Sequence, residues 1–524
     1  MRRYFIALLA LVSATASSAQ QTIRVGDQLQ KLLLAETAIK SLYVDEVNDT
    51  VLVESGIAAM LKELDPHSTY MTSDEVRKSE ETLQGNFEGI GVQFNMVKDT
   101  LFIVQTIPGG PSEKVGIIAG DRIVSANDTA IAGVGMSNED IMSRLRGPKG
   151  THVSLGIVRK GVSGVISFDV IRDVIPLNTV DASFMAAPGI GYIKISSFGT
   201  NTVNEFVTAW EKLLKQGAES LVLDLQGNGG GYLGAAVGIG NEFLERDRMI
   251  VYTQGRTSPK MTYLAEGNGH FRKGRLVVLI DEYTASASEI VSGAIQDWDR
   301  GVIIGRRSFG KGLVQRPIDF PDGSMIRLTV AKYFTPSGRC IQKPYGEDID
   351  YRDDIVERLH SGQLVSADSI HFADSLKCST LVKGRTVYGG GGIMPDIFVP
   401  IDTTRSTVWY REATAHGAVL QASLSYVDRN RKELQRRFRN FRKYQTEFSV
   451  GQDLLDMVLA NAAEADIGFD QEGYDTALPY ITVQLKALVA RDLWGMSEYF
   501  AVLNALDPIY LRALEYLQSD EPIL

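Results

Sequence analysis

Leu221-Val222-Leu223-Asp224-Leu225, running into Gln226-Gly227-Asn228-Gly229-Gly230-Gly231, decides the fold. The first five residues are almost all apolar and too few for a stable helix, so they suit a strand covered on both faces. Upstream, Tyr192 to Ile195 forms a similar short run. A stretch with Val203, Phe206, Val207, Trp210, Leu213 and Leu214 on one helical stripe follows it. Downstream, Leu276 to Ile280 is a further apolar strand, and Ser324 to Phe334 alternates as a longer one. Strand, helix and strand in repetition predict an α/β core. The glycines after Leu225 let backbone N–H groups face a cleft, which makes an anion site. The loop lacks the GxxxxGK[ST] and GxGxxG patterns of nucleotide loops, so an oxyanion-holding loop fits it better.

Two other segments carry nucleophilic chemistry. Thr284-Ala285-Ser286-Ala287-Ser288-Glu289-Ile290 follows the 276–280 strand and leads into a stripe of Ile290, Val291, Ala294, Ile295 and Trp298. Ser286 therefore sits at a helix N-terminus, beside N–H groups that the helix cannot satisfy and at the positive end of its dipole. Such groups can stabilise an oxyanion. Ser286 and Glu289 equally fit a structural capping box. A nucleophilic serine needs a base. The six histidines are scattered, and neither GxSxG nor HExxH occurs. Ser308-Phe309-Gly310-Lys311-Gly312-Leu313-Val314-Gln315 offers an amine instead. Lys311 lies between two glycines in an apolar neighbourhood. To take a proton it must be largely neutral, and moving an amine from ~10.4 to ~7 costs about 4–5 kcal/mol. Burial can supply that shift, and Gln315 can hold the amine without stabilising its charge. The plain alternative is a surface lysine in a glycine turn.

The 524 residues suffice for three or four domains. With 44% hydrophobic and 23% charged residues the chain is globular rather than disordered. A net charge of −10 argues against a whole-surface nucleic-acid binder. Arg2 and Arg3, the short apolar run Tyr4 to Val12 and small residues up to Ala19 read as a cleavable export signal, with an uncleaved anchor as the alternative. That places the protein in the periplasm or otherwise outside the cytoplasm. No later segment has the length of a membrane span. Cys340 and Cys378 lie outside any CxxC, so they are either one disulfide or two thiols. Gln28 to Leu64 reads as helical, with a second helical stretch around Val51 to Leu64, broken by Asp65-Pro66-His67, and Thr72 to Leu83 as a charged helix. Phe87 to Val170 has the size of a small β-rich domain. The last ~110 residues look helical, with Leu434, Phe438 and Phe441 at helical spacing in the basic stretch Arg429 to Lys443. That stretch suits a packed amphipathic helix, subunit association or an anionic surface.

Taken together, TASASEI, SFGKGLVQ, the 224–231 loop, Asp65-Pro66-His67-Ser68-Thr69-Tyr70, Phe87 to Phe94 and Gly391-Gly392-Ile393-Met394-Pro395-Asp396 resemble the carboxyl-terminal processing peptidases, or tail-specific proteases. The similarity covers roughly residues 30 to 400. It implies a multidomain α/β, crotonase-like serine-lysine peptidase core with an inserted PDZ-like domain and helical N- and C-terminal regions. The implied organisation is a signal peptide (1–19), an N-terminal helical region (20–84), a PDZ-like domain (85–173), the peptidase core (174–400) and a C-terminal helical region (401–524). The resemblance maps the nucleophile to Ser286, the general base to Lys311, its orienting partner to Gln315, and the oxyanion donors to the N–H groups of Ala287 and Gly230. It needs no metal or organic cofactor. A PDZ-like domain adds a chain terminus to a sheet edge. The terminal carboxylate would meet Gly89-Ile90-Gly91, and Ile90, Val92, Ile141 and Leu145 would line the groove, although Ile141 and Leu145 suit the core equally. The implied partners are proteins with accessible C-terminal tails, a second copy of the chain, and an adaptor that delivers substrates. The alternative is a non-catalytic PDZ-bearing scaffold or chaperone. One departure stands out: Gln226 occupies a position where the family usually has Arg.

Overall fold

The structure, a computed structural model, describes residues 27–97, 99–346, 351, 353–404, 406–519 and 521. The export-signal reading of residues 1–19 lies outside them. The chain divides into two compact units, 1–70 and 71–524.

In the first unit the expected helical stretch is two helices, α1 (Asp27–Leu42) and α2 (Asp49–Lys62). Asn48 caps α2, its side chain accepting from Val51 N. After α2, Asp65 Oδ1 accepts from His67 N and Ser68 N, and Ser68 Oγ donates to Asp65 Oδ2 at 2.6 Å. This carboxylate fixes the turn that Asp65-Pro66-His67 marks.

The second unit opens with α3 (Ser73–Gln84), capped by Thr72 and Glu75 and stopped at Gly85 in the left-handed region. A ribbon of β1 (Asn86–Gly89) and β7 (Asp173–Pro176) closes the entry and exit of a β-rich domain. Inside it, β2 (Val92–Val97), β3 (Thr100–Thr106), β4 (Arg122–Ala126), β5 (His152–Val158) and β6 (Ile166–Ile171) pair in that order. Its longer helix among the described residues is α4 (Asn138–Leu145), started by Ser137, whose Oγ accepts from Asp140 N; Pro111–Lys114 makes one short turn. β2 is an edge strand, with β3 as its one partner within the sheet.

The larger sheet runs β8 (Val180–Ala187), β9 (Ile190–Ile195), β10 (Ser220–Asp224), β11 (Leu276–Ile280) and β12 (Val302–Gly305), with Ile397–Phe398 beyond. From β9 onward the pairings are parallel. The connections carry α5 (Thr202–Lys215), α6 (Leu233–Phe243) and α7 (Ala287–Asp297). All three pack on one face, with Ile193, Leu221, Leu223 and Val278 beneath them. Tyr192, Val222, Val277 and Leu279 point to the other face. Strands buried on both sides read as apolar runs, which is why Leu221 to Leu225 shows no alternation. β13 (Leu313–Asp319) and β14 (Met325–Phe334) form a hairpin in a separate sheet with Met249–Gln254.

The C-terminal region includes α8 (Ala418–Arg437), α9 (Gln471–Leu493), α10 (Met496–Leu503) and α11 (Pro508–Gln518). It has a core of its own around Trp409, Val427, Leu434, Leu454 and Leu485. In the basic stretch the helix breaks: α8 ends at Arg437, capped by Phe438, and the next helix starts at Phe441. Leu434 and Phe438 are buried there. α11 does a different job, covering the second face of the large sheet with Ile509, Tyr510 and Ala513. Cys340 and Cys378 are free thiols.

Candidate active site

Three loops from the C-terminal ends of β10, β11 and β12 converge on Ser286. The residue stands at the N-terminus of α7 with φ 56° and ψ −113°. Every other described non-glycine residue with positive φ is Asn or Asp, types that tolerate the left-handed region. A serine held this way stores about 1–3 kcal/mol of strain and persists only where neighbours over-determine it.

Those neighbours are visible. Glu289, fully buried, accepts from Ser286 N at 2.7 Å and from Lys311 N at 2.9 Å through the same Oε2. Its Oε1 accepts from Ser308 Oγ at 2.5 Å and Gly310 N at 2.7 Å. Burial pushes the Glu289 carboxyl above its ordinary range, and the four donors pull it part of the way back. On the carbonyl side, the buried hydroxyl of Tyr333 reaches both Ser286 O, at 3.0 Å, and Lys311 O. One carboxylate and one phenol thus tie the serine turn to the glycine-lysine turn. Burial holds Tyr333 well above the usual phenol range, so it stays a donor.

Lys311 is half-buried, and its Nζ donates to Gln315 Oε1 over a long 3.4 Å. A bulge between Val314 and Gln315 interrupts the β13–β14 register, and such bulges re-aim side chains. Gly310, with φ +90°, lets the turn approach its surroundings: a Cβ there would lie 3.0 Å from Gly392 N and 3.1 Å from Lys343 Cβ. Phe309 N donates to Thr284 O at 2.9 Å, which seats this turn against the serine turn.

The glycine loop docks from the other side. Asn228 O accepts from Ala285 N and from Ser288 Oγ, both at 2.9 Å. Gly227 N donates to the Asp281 carboxylate at 3.0 Å, and Thr284 Oγ1 donates to Leu225 O. Gly230 has φ +104°, and a Cβ there would sit 2.8 Å from Ser286 Cβ and 3.0 Å from Ala287 N. Gly230 is therefore in contact with the nucleophile candidate. Its N–H differs from the expectation of a free donor: it donates to Asn228 Oδ1 at 2.8 Å. Ala287 N is a first-turn N–H that α7 cannot satisfy. Gly230→Ala is expected to lower turnover at least tenfold while the melting temperature falls by a few degrees, since the new methyl has nowhere to go except into Ser286. Steady-state kinetics beside a thermal melt checks this.

Gln226 also finds a role. Its Nε2 donates to Asp507 Oδ2 at 2.7 Å, just before α11. Asp224, next to it, accepts from Tyr192 OH and from Lys194 Nζ. With an amide rather than a guanidinium at 226, burial and the nearby Asp224 charge push Asp507 up.

Residues 189–351 match peptidase family S41, a span that contains every site residue from Asp224 to Gln315 named above. Residues 89–170 match a PDZ domain, 9–75 the activating protease CtpB N-terminal domain, and 409–495 a family of unknown function. The carboxy-terminal processing protease CtpA of Bacillus subtilis is 36% identical over 355 residues, 66% of this chain and 75% of that one. CtpB of the same organism is 36% identical over 64% of this chain and 69% of its own. The carboxy-terminal-processing protease of Bartonella bacilliformis is 34% identical over 62% and 73%. The chain belongs to the carboxy-terminal processing proteases. It is a serine-type peptidase with a PDZ domain and helical regions at both ends.

The PDZ domain of this processing protease holds a cavity of about 460 Å³ between the β2 edge and α4. Ile90, Gly91, Val92 and Leu145 line it. Gly89 is instead paired with Asp173 in the ribbon. Ile141 is fully buried in the domain core, and its neighbour Met142 faces the cavity. The carbonyls of the turn are tied back, Ile90 O to Ser112 N and Oγ and Gly91 O to Ile107 N. Glu289 was readable from the sequence only as a cap, Asn228 and Ser308 fall inside the singled-out motifs with no role assigned to them, and nothing in the sequence flags Tyr333.

Proposed function

We propose that this protease is an exported endopeptidase that captures protein C-terminal tails in its PDZ groove and cuts by a serine-lysine mechanism. The observation that carries the proposal is the single Glu289 oxygen accepting from both Ser286 N and Lys311 N. The neutral amine of Lys311 takes the Ser286 hydroxyl proton as Oγ attacks the peptide carbonyl carbon. Ala287 N holds the oxyanion, and Gly230 N joins as a donor shared with Asn228. Collapse breaks the C–N bond, and the Lys311 ammonium gives its proton to the leaving amine. Lys311 then deprotonates a water that attacks the ester and restores Ser286. Gln315 orients the amine. The strained Ser286 backbone supports this assignment, because strain of this kind collects at reacting groups.

The organisation proposed is a crotonase-like core of strand-helix-strand repeats over 174–400, with regions 20–84, 85–173 and 401–524 around it and a leader at 1–19. The substrates are proteins with an accessible C-terminal tail. Tail dependence is the test. A folded reporter ending in an apolar free carboxylate is expected to be cleaved at least tenfold faster than the same reporter with its terminus amidated, since the amide cannot take the N–H groups of the Ile90–Gly91 turn as a carboxylate does. Equal rates would remove the tail-capture step. Cleavage of neither reporter would remove the peptidase assignment for these substrates.

A further inference from the structure

The groove has a second wall that the PDZ domain does not build. On β2, Val92, Phe94 and Met96 pack toward the domain core, so Gln93 and Asn95 point the opposite way. On β3, Leu101 and Ile103 enter the core, while Phe102 and Val104 leave it and pack on Leu424 of α8. Arg122 Nη2 meets Asp428 Oδ2 at 3.0 Å beside this contact, and Lys160 Nζ donates to Asp428 O at 2.9 Å. The C-terminal helical domain is thereby docked on the outer face of the PDZ sheet. It also reaches the groove: Arg491, in the last turn of α9, and Met496, at the start of α10, line the same cavity as Val92 and Leu145.

A tail added as a strand to β2 sends alternate side chains to opposite faces. One set enters the apolar side, among Ile90, Val92, Met142 and Leu145. The other set would face water on an isolated domain. Here it faces Arg491 and Met496. Among the described residues the cavity lining holds two guanidiniums, Arg146 and Arg491, and no carboxylate, on a chain whose net charge is −10. Arg146 is engaged by Glu81 at 2.5 Å and stacks on Phe87. Arg491 Nε donates to Asp492 Oδ1 at 3.0 Å, and Nη2 lies 3.0 Å from the same oxygen without a hydrogen bond. Among the described residues nothing accepts from its Nη1. A guanidinium held from one edge can take a carboxylate on the other.

We propose that the C-terminal helical domain completes the tail groove and that Arg491 selects tails carrying Asp or Glu on the outward set, at the penultimate residue or two before it. The proposal rests on the tail-binding role of the PDZ domain and assigns a task to the region that matches a family of unknown function.

The test uses full-length Ser286→Ala protein, which binds without cutting, and fluorescent peptides with one apolar C-terminal residue and Glu, Gln or Lys at each of those two positions. Glu is expected to bind about tenfold tighter than Lys at one of them. Arg491→Glu is expected to reverse that order, and Arg491→Gln to level it. Met496→Glu, which leaves the Arg491–Asp492 pair in place, should weaken the Glu peptide and strengthen the Lys peptide even if the Arg491 variants fold poorly. Tails that bind without regard to charge, in the parent and in both glutamate variants, would overturn the role of Arg491 and leave tail binding standing. Failure of every peptide to bind the parent would overturn both.

Discussion

Lys311→Ala is expected to cut peptide-bond turnover by about 10²–10⁴, the usual contribution of a positioned proton carrier. Ser286→Ala should cost at least as much, and the double variant no more than the worse single one, because residues acting as a unit are not additive. The structure gives reason to expect an intact fold in both. Neither side chain is fully buried, and the bonds that join the two turns use main-chain atoms, Ser286 N and O and Lys311 N and O. Truncating the side chains leaves those bonds in place. Rates on a tail-bearing protein, read together with circular dichroism and a thermal melt, separate loss of chemistry from loss of structure. Near-wild-type turnover in either variant would remove the mechanism.

Glu289→Gln is the second large effect, and it should appear in both rate and stability. The glutamate accepts from four donors at 2.5–2.9 Å and donates nothing. An amide keeps one acceptor oxygen and replaces the other by an NH₂ group. Two of the four donors then face another donor. Each buried donor left unmade costs about 1–3 kcal/mol, so about 2–6 kcal/mol is at stake, offset in part because a buried charge is removed. If the NH₂ takes the Oε2 place, it faces Ser286 N and Lys311 N, and the two turns separate. The expected result is a loss in kcat of at least about 10², since misplacement by an ångström already costs that much, together with a clear fall in melting temperature. Glu289→Asp should recover part of the stability and little of the rate, because its shorter arm cannot reach both turns. If Glu289→Gln kept full activity, the carboxylate would not be what sets the distance between the serine and lysine turns.

Much of this was legible in the chain because it depends on strong local patterns. Ser220 to Asp224 and Leu276 to Ile280 are strands because both faces are covered, and the lack of alternation from Leu221 to Leu225 and from Leu276 to Ile280 signals that directly. The glycines at 230, 231 and 310 mark places where backbone must approach backbone, and the Gly230 to Ser286 contact is the consequence. What was not legible depends on long-range meeting. Tyr333 is one inward residue among several on an alternating strand, and only the docking of β14 beneath both turns gives its hydroxyl two carbonyls. Asn228 looks like a loop residue, yet its side chain occupies the Gly230 N–H. In α4, Ile141 and Leu145 share a face, and the sequence cannot say whether that face meets the core or the groove. One residue on, at 100° around the helix, Met142 turns out to face the groove. The covering of the sheet by α11 could not be foreseen either, since a C-terminal amphipathic helix carries no label for the surface it will meet.

The most direct test of the serine-lysine pair is covalent labelling with a fluorophosphonate, followed by peptide mapping and repeated across pH. The result predicted is one adduct per chain at Ser286, a labelling rate that falls as acid protonates the amine base, and a rate lower by at least about 10² in Lys311→Ala. An adduct at another serine, or labelling of Ser286 at the same rate with and without Lys311, would contradict it.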